Sequence, residues 1–409
     1  YKPTDQLTVK LDTFYSQFDI EEQEDQMSFE EVGNWNGWDE DGNKVDRNWN
    51  YRNSMTSPVF IDKADGSQQL VEGGQAWGAH NVHNAKWFQT NELISTGLNV
   101  VWLGDVWKIN ADLGLSKASI DSRWVDIRST YNGGGYDLAW SVKDSDRISF
   151  WLQENEAQGL TITDISDPSM YTINDMWTAE DKVLTDEMVN FNLDFERGVE
   201  WGVFDTLLFG GRVSTREKDN DVVSWWQGAN ADHGLTDYAT SYSLGDNITA
   251  PNLYGFKDWD LVAEKVFGGL PSHAQGEKTD NTNIASWNIT EDNAAAYVML
   301  KMSGDIAGIP YSGNVGLRYV KTKSTSKGHQ KESQGWYEVS PGEWEEEYTI
   351  SPTSVDHEYD EILPALNMTF NVTEDSQVRL GLARTMSRPP LIEMRTGFSI
   401  DETVIPRRA

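Results

Sequence analysis

The sequence predicts an all-β protein, a transmembrane antiparallel up-and-down β-barrel with long extracellular loops. Three observations lead to this prediction. Apolar and polar residues alternate along many segments, short turns alternate with long unpatterned connections, and no apolar run reaches the ~18–20 residues of a membrane helix. A period of two sends successive side chains to opposite faces of a sheet, so a strand can present one apolar face to lipid and one polar face to water.

The predicted strands follow one another in a regular order. In residues 188–196, for example, Val189, Phe191 and Leu193 alternate with polar residues. The last hairpin, within residues 361–390, turns at residues 373–376, a connection of about four residues, as hairpin loops usually are. The predicted strands are residues 7–20, 92–102, 106–118, 188–196, 203–215, 295–303, 311–324 and the two arms of the last hairpin.

The connections between these strands differ greatly in length. Short turns alternate with long excursions at residues 21–91, 119–187, 217–293 and 325–359. Loops this long are uncommon in compact domains unless they are functional. Short turns on the periplasmic side and long loops outside are the organisation of an outer-membrane barrel, whereas a soluble β-sandwich or propeller distributes loop length more evenly.

Composition excludes several classes of function. The chain has 66 acidic and 33 basic residues and a net charge of −33, so it lacks the basic surface that nucleic-acid binding needs. It has no cysteine, which excludes thiol chemistry, disulfides and a cysteine-ligated zinc site. No pair of carboxylates is singled out for glycosidase chemistry, and neither a GxSxG nor a GxxxxGK[ST] motif occurs. We therefore predict that the chain is not an enzyme.

Tryptophan is abundant, with 18 residues in the chain. Trp102, Trp107 and Trp201 lie at strand ends beside short turns, where an interfacial aromatic girdle is expected. The other fifteen lie in or near the predicted long loops: Trp35, Trp38, Trp49, Trp77, Trp87, Trp124, Trp140, Trp151, Trp177, Trp225, Trp226, Trp259, Trp287, Trp336 and Trp344. They either form small cores that hold the loops folded or stack on a ligand.

Several of these loop residues have the chemistry of a sugar site. Flat indole faces beside amide, carboxylate and guanidinium groups suit sugars, which have apolar C–H faces and a rim of hydroxyls. The predicted ligand-binding residues are the stacking candidates Trp35, Trp38, Trp49, Tyr51, Trp225, Trp226 and Trp336 and the hydrogen-bonding candidates Asn36, Arg47 and Asn48.

Metal binding has weaker support in the sequence. The acidic clusters at residues 39–43, 62–66 and 219–221 have oxygen ligands and turn residues of the kind that Ca²⁺ uses, but none has EF-hand spacing. A solvated acidic loop is the simpler interpretation of each cluster. His80 and His83 would share one metal only on a helix, and the surrounding residues show no helical period. No metal ligand is therefore predicted, and Ca²⁺ in the acidic loops stays an open alternative.

Three segments resemble one known family. The last hairpin, LPALNMTFNVTEDSQVRLGLARTMSRP, resembles a late hairpin of the TonB-dependent outer-membrane receptors. FDTLLFGGRVSTREK resembles the family's "FGxRyxxre" strand, and AYVMLKMSGDIAGIPYSGNVGLRYVKTKSTS its "GNxGxRyxxT" hairpin. The polar, tryptophan-rich loops are most similar to the oligosaccharide-uptake branch of the family.

The resemblance implies a nutrient receptor in the outer membrane of a Gram-negative bacterium, in contact with membrane lipid and energised by the TonB complex. Barrels of this kind have ~22 strands, and the chain has about nine or ten, which gives a partial, open arc. Because the chain starts at Tyr1 and ends in a polar stretch, residues 1–409 are expected to be a fragment of the barrel domain. The N-terminal plug, through which TonB would act, and the closing C-terminal strands would lie outside it.

Other functions remain open at this point. A siderophore or haem receptor has the same fold, and a passive porin would lack the plug. A secreted glycan-binding or glycan-cleaving β-protein belongs to a different class.

Overall fold

The computed structural model describes residues 1–31, 55–132, 136–143, 148–153, 167–242, 248–249, 253–340, 343–396 and 398–400.

Long strands dominate the described part of the chain. The strands are β1 (Leu7–Glu31), β2 (Met55–Asp62), β3 (Gln68–Leu103), β4 (Trp107–Tyr131), β5 (Tyr136–Ser141), β6 (Ile148–Gln153), β7 (Tyr171–Trp201), β8 (Phe204–Gly234), β9 (Ala239–Tyr242), β10 (Ile248–Thr249), β11 (Leu253–Phe256), β12 (Trp287–Ile306), β13 (Ile309–Ser340), β14 (Glu343–Thr373), β15 (Ser376–Ala383) and β16 (Phe398–Ile400). The helices are α1 (Trp259–Phe267) and α2 (Asp280–Ala285), with 3-10 turns at Pro168–Met170, Leu235–Asp237, His273–Gln275 and Leu391–Met394. No helix among the described residues is long and apolar enough to span a bilayer.

Nine of these strands pair in a single antiparallel series. The order is β1, β3, β4, β7, β8, β12, β13, β14 and β15. The short strands β2, β5 and β6 join the sheet beside the outer part of β3, and β9 pairs with β11 in a separate ribbon. Within the described residues β1 pairs only with β3 and β15 only with β14, so both edges of the series are open.

The register of the sheet aligns an apolar belt across neighbouring strands. Leu11 lies opposite Leu98, Leu98 opposite Leu113, and Leu113 opposite Phe191. The belt continues to β13 and β14, where Ile362 is 50 % exposed. No second layer formed by the described residues covers these side chains, so this is the face that the alternation predicts for lipid. Exposed ion pairs such as Lys117–Glu187 (2.6 Å) mark its outer boundary.

The opposite face of the same strands is polar. Asn99 donates hydrogen bonds to Asn110 at 2.8 Å and to Asp112 at 3.2 Å, and the Tyr297 hydroxyl donates to Asp194 at 2.9 Å. The basic strand residues expected on this face share its parity; they are Arg212, Arg318 and Arg379.

Arg384 lies beyond the end of β15. Its guanidinium pairs with Glu361 at 2.5 Å and donates to the Ile362 carbonyl at 3.4 Å. It therefore lies at the rim of the sheet, beyond the last residue of its strand, and needs no bulge.

The predicted long loops are wrong in part, because much of each one is strand. The most complete case is residues 325–359, which form the outer part of the β13–β14 hairpin. A membrane-spanning strand needs only ~9–11 residues. Beyond the belt neither face has to be apolar, so backbone hydrogen bonds and pairs such as Lys331–Glu346 (2.6 Å) hold the ladder without an alternation that the sequence would show. The final turn is also tighter than expected, since β14 and β15 flank only Glu374 and Asp375.

The main buried core lies at the outer end of the sheet, away from the short turns. It forms where the β8–β12 connection, residues 235–286, folds back on β3, β4, β7 and β8. Helix α1 begins at the N-cap Asp258, whose carboxylate accepts from the Leu261 amide at 2.9 Å, and ends at Gly268, which has φ +81°. Its buried face packs Trp259, Val262 and Val266 into this core. We refer to residues 235–286 as the insert.

Candidate functional site

A cavity of about 750 Å³ opens between β7, β8 and the insert. Three indoles and a set of polar groups line it. The lining residues are Trp177, Thr178, Ala179 and Glu180 of β7, Ser224, Trp225 and Trp226 of β8, and Gln275, Glu277, Thr279, Asn281 and Thr282 of the insert.

A β-bulge in β7 shapes one wall of this cavity. Thr178 pairs with Trp225 and Asp181 with Val223, so two residues of β7 face one residue of β8. A bulge bends its strand and re-aims the side chains beyond it. Here it exposes Glu180 at the cavity and changes which residues of β7 point to each face of the sheet.

The insert forms the second wall by covering an open edge of β8. Pairing with β12 ends at Asn220, and the backbone of β8 beyond that point needs other partners. Val222 donates its amide to the Ser286 hydroxyl at 3.1 Å. Ser224 and Glu277 exchange two backbone hydrogen bonds of 3.0 and 2.8 Å. These contacts fix residues 277–286 beside the two adjacent tryptophans of β8.

A buried carboxylate ties the two walls together. Asp181 is fully buried and accepts from His273 at 3.0 Å and from the Trp225 indole at 3.3 Å, while Arg123 lies 3.6 Å away. The other ring nitrogen of His273 lies 3.1 Å from Asp221. Burial disfavours the imidazolium, but the two carboxylates outweigh it and raise the pKa of His273 above its ordinary value.

The cavity offers stacking surfaces beside hydrogen-bonding groups. Trp226 is 68 % exposed, whereas Trp225 is only 7 % exposed, so Trp226 offers more stacking surface than Trp225. The exposed carboxylate of Glu180 and the amides of Gln275 and Asn281 surround the indoles. The arrangement can bind a polyhydroxylated ligand by stacking and hydrogen bonding.

Comparison with protein families adds an independent observation. The family model "TonB dependent receptor-like, beta-barrel" matches residues 121–406, more than half of the chain. The chain belongs to this family. Searches of curated proteins and of solved structures each returned no match.

TonB-dependent receptors are outer-membrane transporters of Gram-negative bacteria, not enzymes, and they take up a nutrient in partnership with TonB. Membership therefore agrees with the apolar belt, the polar inner face and the antiparallel series of strands. In this setting the cavity lies at the end of the receptor opposite the short periplasmic turns.

The structure brings together two of the ten predicted ligand-binding residues, Trp225 and Trp226. A third, Trp336, lies on β13, is 55 % exposed and does not line the cavity. The other seven lie outside the described residues: Trp35, Asn36, Trp38, Arg47, Asn48, Trp49 and Tyr51.

Sequence reasoning missed most of the cavity's polar residues. In the sequence Trp177 is one of many tryptophans in predicted loops, and Glu180, Gln275 and Asn281 carry no local signal. The N-cap Asp258 and the glycine pair after α1 were available as signals for the helix that positions this segment.

The acidic clusters have protein partners wherever the structure describes their contacts. Asp65 accepts from the amide and hydroxyl of Ser67, at 2.9 and 2.6 Å, and Asp221 pairs with His273 and Lys278. His83 lies 2.6 Å from Asp126. No group of three or more potential metal ligands occurs in the described part of the chain, and residues 39–43 lie outside it. Ca²⁺ in the acidic loops stays an open alternative.

Proposed function

We propose that this TonB-dependent receptor captures an oligosaccharide at its extracellular end and imports it through the outer membrane. Energy would come from TonB through a plug domain outside this chain, and the barrel would close with strands that also lie outside it. Binding and plug rearrangement, without covalent chemistry, make up the mechanism.

The observation that carries the proposal is the tryptophan-lined cavity. Its volume of about 750 Å³ falls within the ~300–1,000 Å³ of small-molecule sites. The exposed indole of Trp226 can stack on a sugar ring. The Glu180 carboxylate can accept hydrogen bonds from the sugar hydroxyls, and the Asn281 amide can both donate to them and accept from them. The Trp336 surface and the predicted residues at 35–51 belong to the same proposal as further contacts.

Charge favours a neutral ligand over an anionic iron chelate. A net charge of −33 gives a negative field that repels anions at the approach to the receptor. Salt screens this field beyond ~8 Å, so the effect adds to the argument from the cavity and does not replace it.

The test uses the complete receptor in its native outer membrane. Cells with the receptor deleted are grown on single oligosaccharides as the carbon source and, separately, in iron-poor medium. We expect a growth defect on one class of oligosaccharide and none under iron limitation. The opposite pattern would identify a siderophore or haem receptor, and sugar release by the purified protein would identify a glycan-cleaving enzyme.

A variant then assigns the activity to the cavity. Trp226→Ala removes the most exposed indole of the cavity and is expected to weaken oligosaccharide binding about tenfold, since an aromatic contact contributes ~0.5–1.5 kcal/mol beyond its buried area. The matched control is Trp201→Ala, which removes a comparably exposed indole beside a short turn. Equal effects of the two variants would remove the cavity from the proposal.

A further inference from the structure

Four tryptophans stand in a row across four neighbouring strands. Trp87 of β3 lies directly opposite Trp124 of β4. The rings of Trp124 and Trp177 of β7 meet edge to face, with centroids 5.8 Å apart. Trp177 in turn lies directly opposite Trp226 of β8. Only the last two of these residues line the cavity described above.

The four side chains share the polar face of the sheet. Trp87 and Trp124 have the parity of Asn99 and Asp112, which lie on that face farther along the same strands. From Glu196 back to Lys182, the residues of β7 on the polar face are the even-numbered ones. In the same register Trp177, an odd-numbered residue, would point to the opposite face. The extra residue of the bulge therefore brings Trp177 into the row.

The row is open to solvent at both ends. Trp87 is 44 % exposed and Trp226 is 68 % exposed, while Trp124 and Trp177 are half-buried between them. The indole of Trp226 lies over Gly228. A Cβ atom added at Gly228 would come within 3.2 Å of that ring. Tryptophans that only filled a core would be buried, as the neighbouring Trp225 is.

The dimensions of the row fit an extended ligand. Neighbouring strands are ~4.8 Å apart, so four strands span ~14 Å, which exceeds the width of one pyranose ring. Glu22 of β1 lies directly opposite Trp87 and is exposed, which adds a hydroxyl acceptor at the far end of the row. Several successive rings of a linear sugar chain would then contact indoles along the row.

We propose that Trp87, Trp124, Trp177 and Trp226 form a binding track for a linear oligosaccharide of several pyranose units, with the cavity at its β8 end. This inference rests on the proposed function and adds the shape and length of the substrate. A disaccharide occupies only part of the track, whereas a hexasaccharide reaches from Trp226 to Trp87.

The test measures affinity against chain length. The purified complete receptor is titrated by calorimetry with malto-oligosaccharides and with cello-oligosaccharides, each from disaccharide to hexasaccharide. For the series that binds, affinity is expected to rise with length. Trp87→Ala is expected to weaken hexasaccharide binding about tenfold and to leave disaccharide binding unchanged, because the shorter ligand at the cavity does not reach β3.

Two further variants separate contact from folding. Trp87→Phe keeps an aromatic face and is expected to restore most of the hexasaccharide affinity. Trp201→Ala removes a comparably exposed indole beside a short turn, outside the row, and is expected to leave the dependence on length intact. If Trp87→Ala binds every length as the unmodified receptor does, the track is refuted while the cavity and the proposed function stand. If growth and calorimetry show no oligosaccharide binding in the unmodified receptor, the proposed function itself fails.

Discussion

Asp181 offers the sharpest perturbation of the candidate site. Its carboxylate is fully buried and holds His273, Trp225 and Arg123 in place, and so connects β7 with β4, β8 and the insert. Replacing it by alanine leaves a histidine and an arginine without their shared anion. Removing one partner of a buried ion pair costs about 3–5 kcal/mol.

Because Asp181 holds the insert to the sheet through His273, the loss is expected as local opening of residues 268–279. Amide hydrogen exchange in this segment of the purified receptor reports the free energy of such opening. A loss of about 3 kcal/mol corresponds to exchange that is at least about a hundredfold faster. Asp181→Asn, which keeps the volume and one acceptor oxygen, is expected to give an intermediate rate.

The matched control is Glu187→Gln on the same strand. Glu187 pairs with Lys117 at 2.6 Å, but both side chains are more than half exposed, and such pairs contribute only about 0–1 kcal/mol. Exchange at residues 268–279 is therefore expected to stay unchanged in this variant. If Asp181→Ala behaves like Glu187→Gln, the buried carboxylate does not hold the insert and the reasoning is refuted.

Two further predictions concern pH and the membrane face. Since the pKa of His273 is raised in the folded receptor, its ion pairs with Asp181 and Asp221 contribute stability that is complete below the unfolded pKa and is lost as pH rises through the folded pKa. Amide exchange at residues 268–279, corrected for the intrinsic effect of pH, is expected to accelerate above the ordinary histidine pKa. His273→Gln should abolish this acceleration. An acceleration that survives in the variant would belong to another titrating group. On the belt, Leu317→Lys is expected to cost about 2–4 kcal/mol and to reduce the amount of folded receptor in the outer membrane, whereas Asn314→Lys on the polar face should be tolerated. Equal levels of the two variants would contradict the assignment of faces.

The strands that cross the membrane could be predicted because lipid imposes a repeating requirement on every one of them. Every second residue must be apolar where the sheet faces lipid, as in Val189, Phe191 and Leu193, and this alternation is visible in the sequence alone. The outer parts of the same strands are under no such demand. Residues 325–340 of β13 are therefore strand in the structure although their sequence shows no alternation.

The candidate site was only partly predictable for a related reason. An exposed tryptophan such as Trp226 suggests a contact surface wherever it stands. Nothing in the sequence links Trp226 to its partners in the cavity, since Trp177 is 49 positions earlier in the chain and Gln275 is 49 positions later. Only the pairing of β7 with β8, together with the return of the insert, brings the three side chains to one cavity.

The sequence by itself determined the fold class, the two faces of the sheet and the end of the molecule that carries most of the tryptophans, because periodicity and composition are local properties of the chain. The tertiary structure decided which tryptophans meet. A single extra residue in β7 reverses the direction of the side chains from Thr178 back to Asp175, where a second register shift follows. The consequence of that reversal depends on the register of the neighbouring strands. Register is a relation between strands that are distant in the chain, and it places Trp177 in line with Trp124 and Trp226.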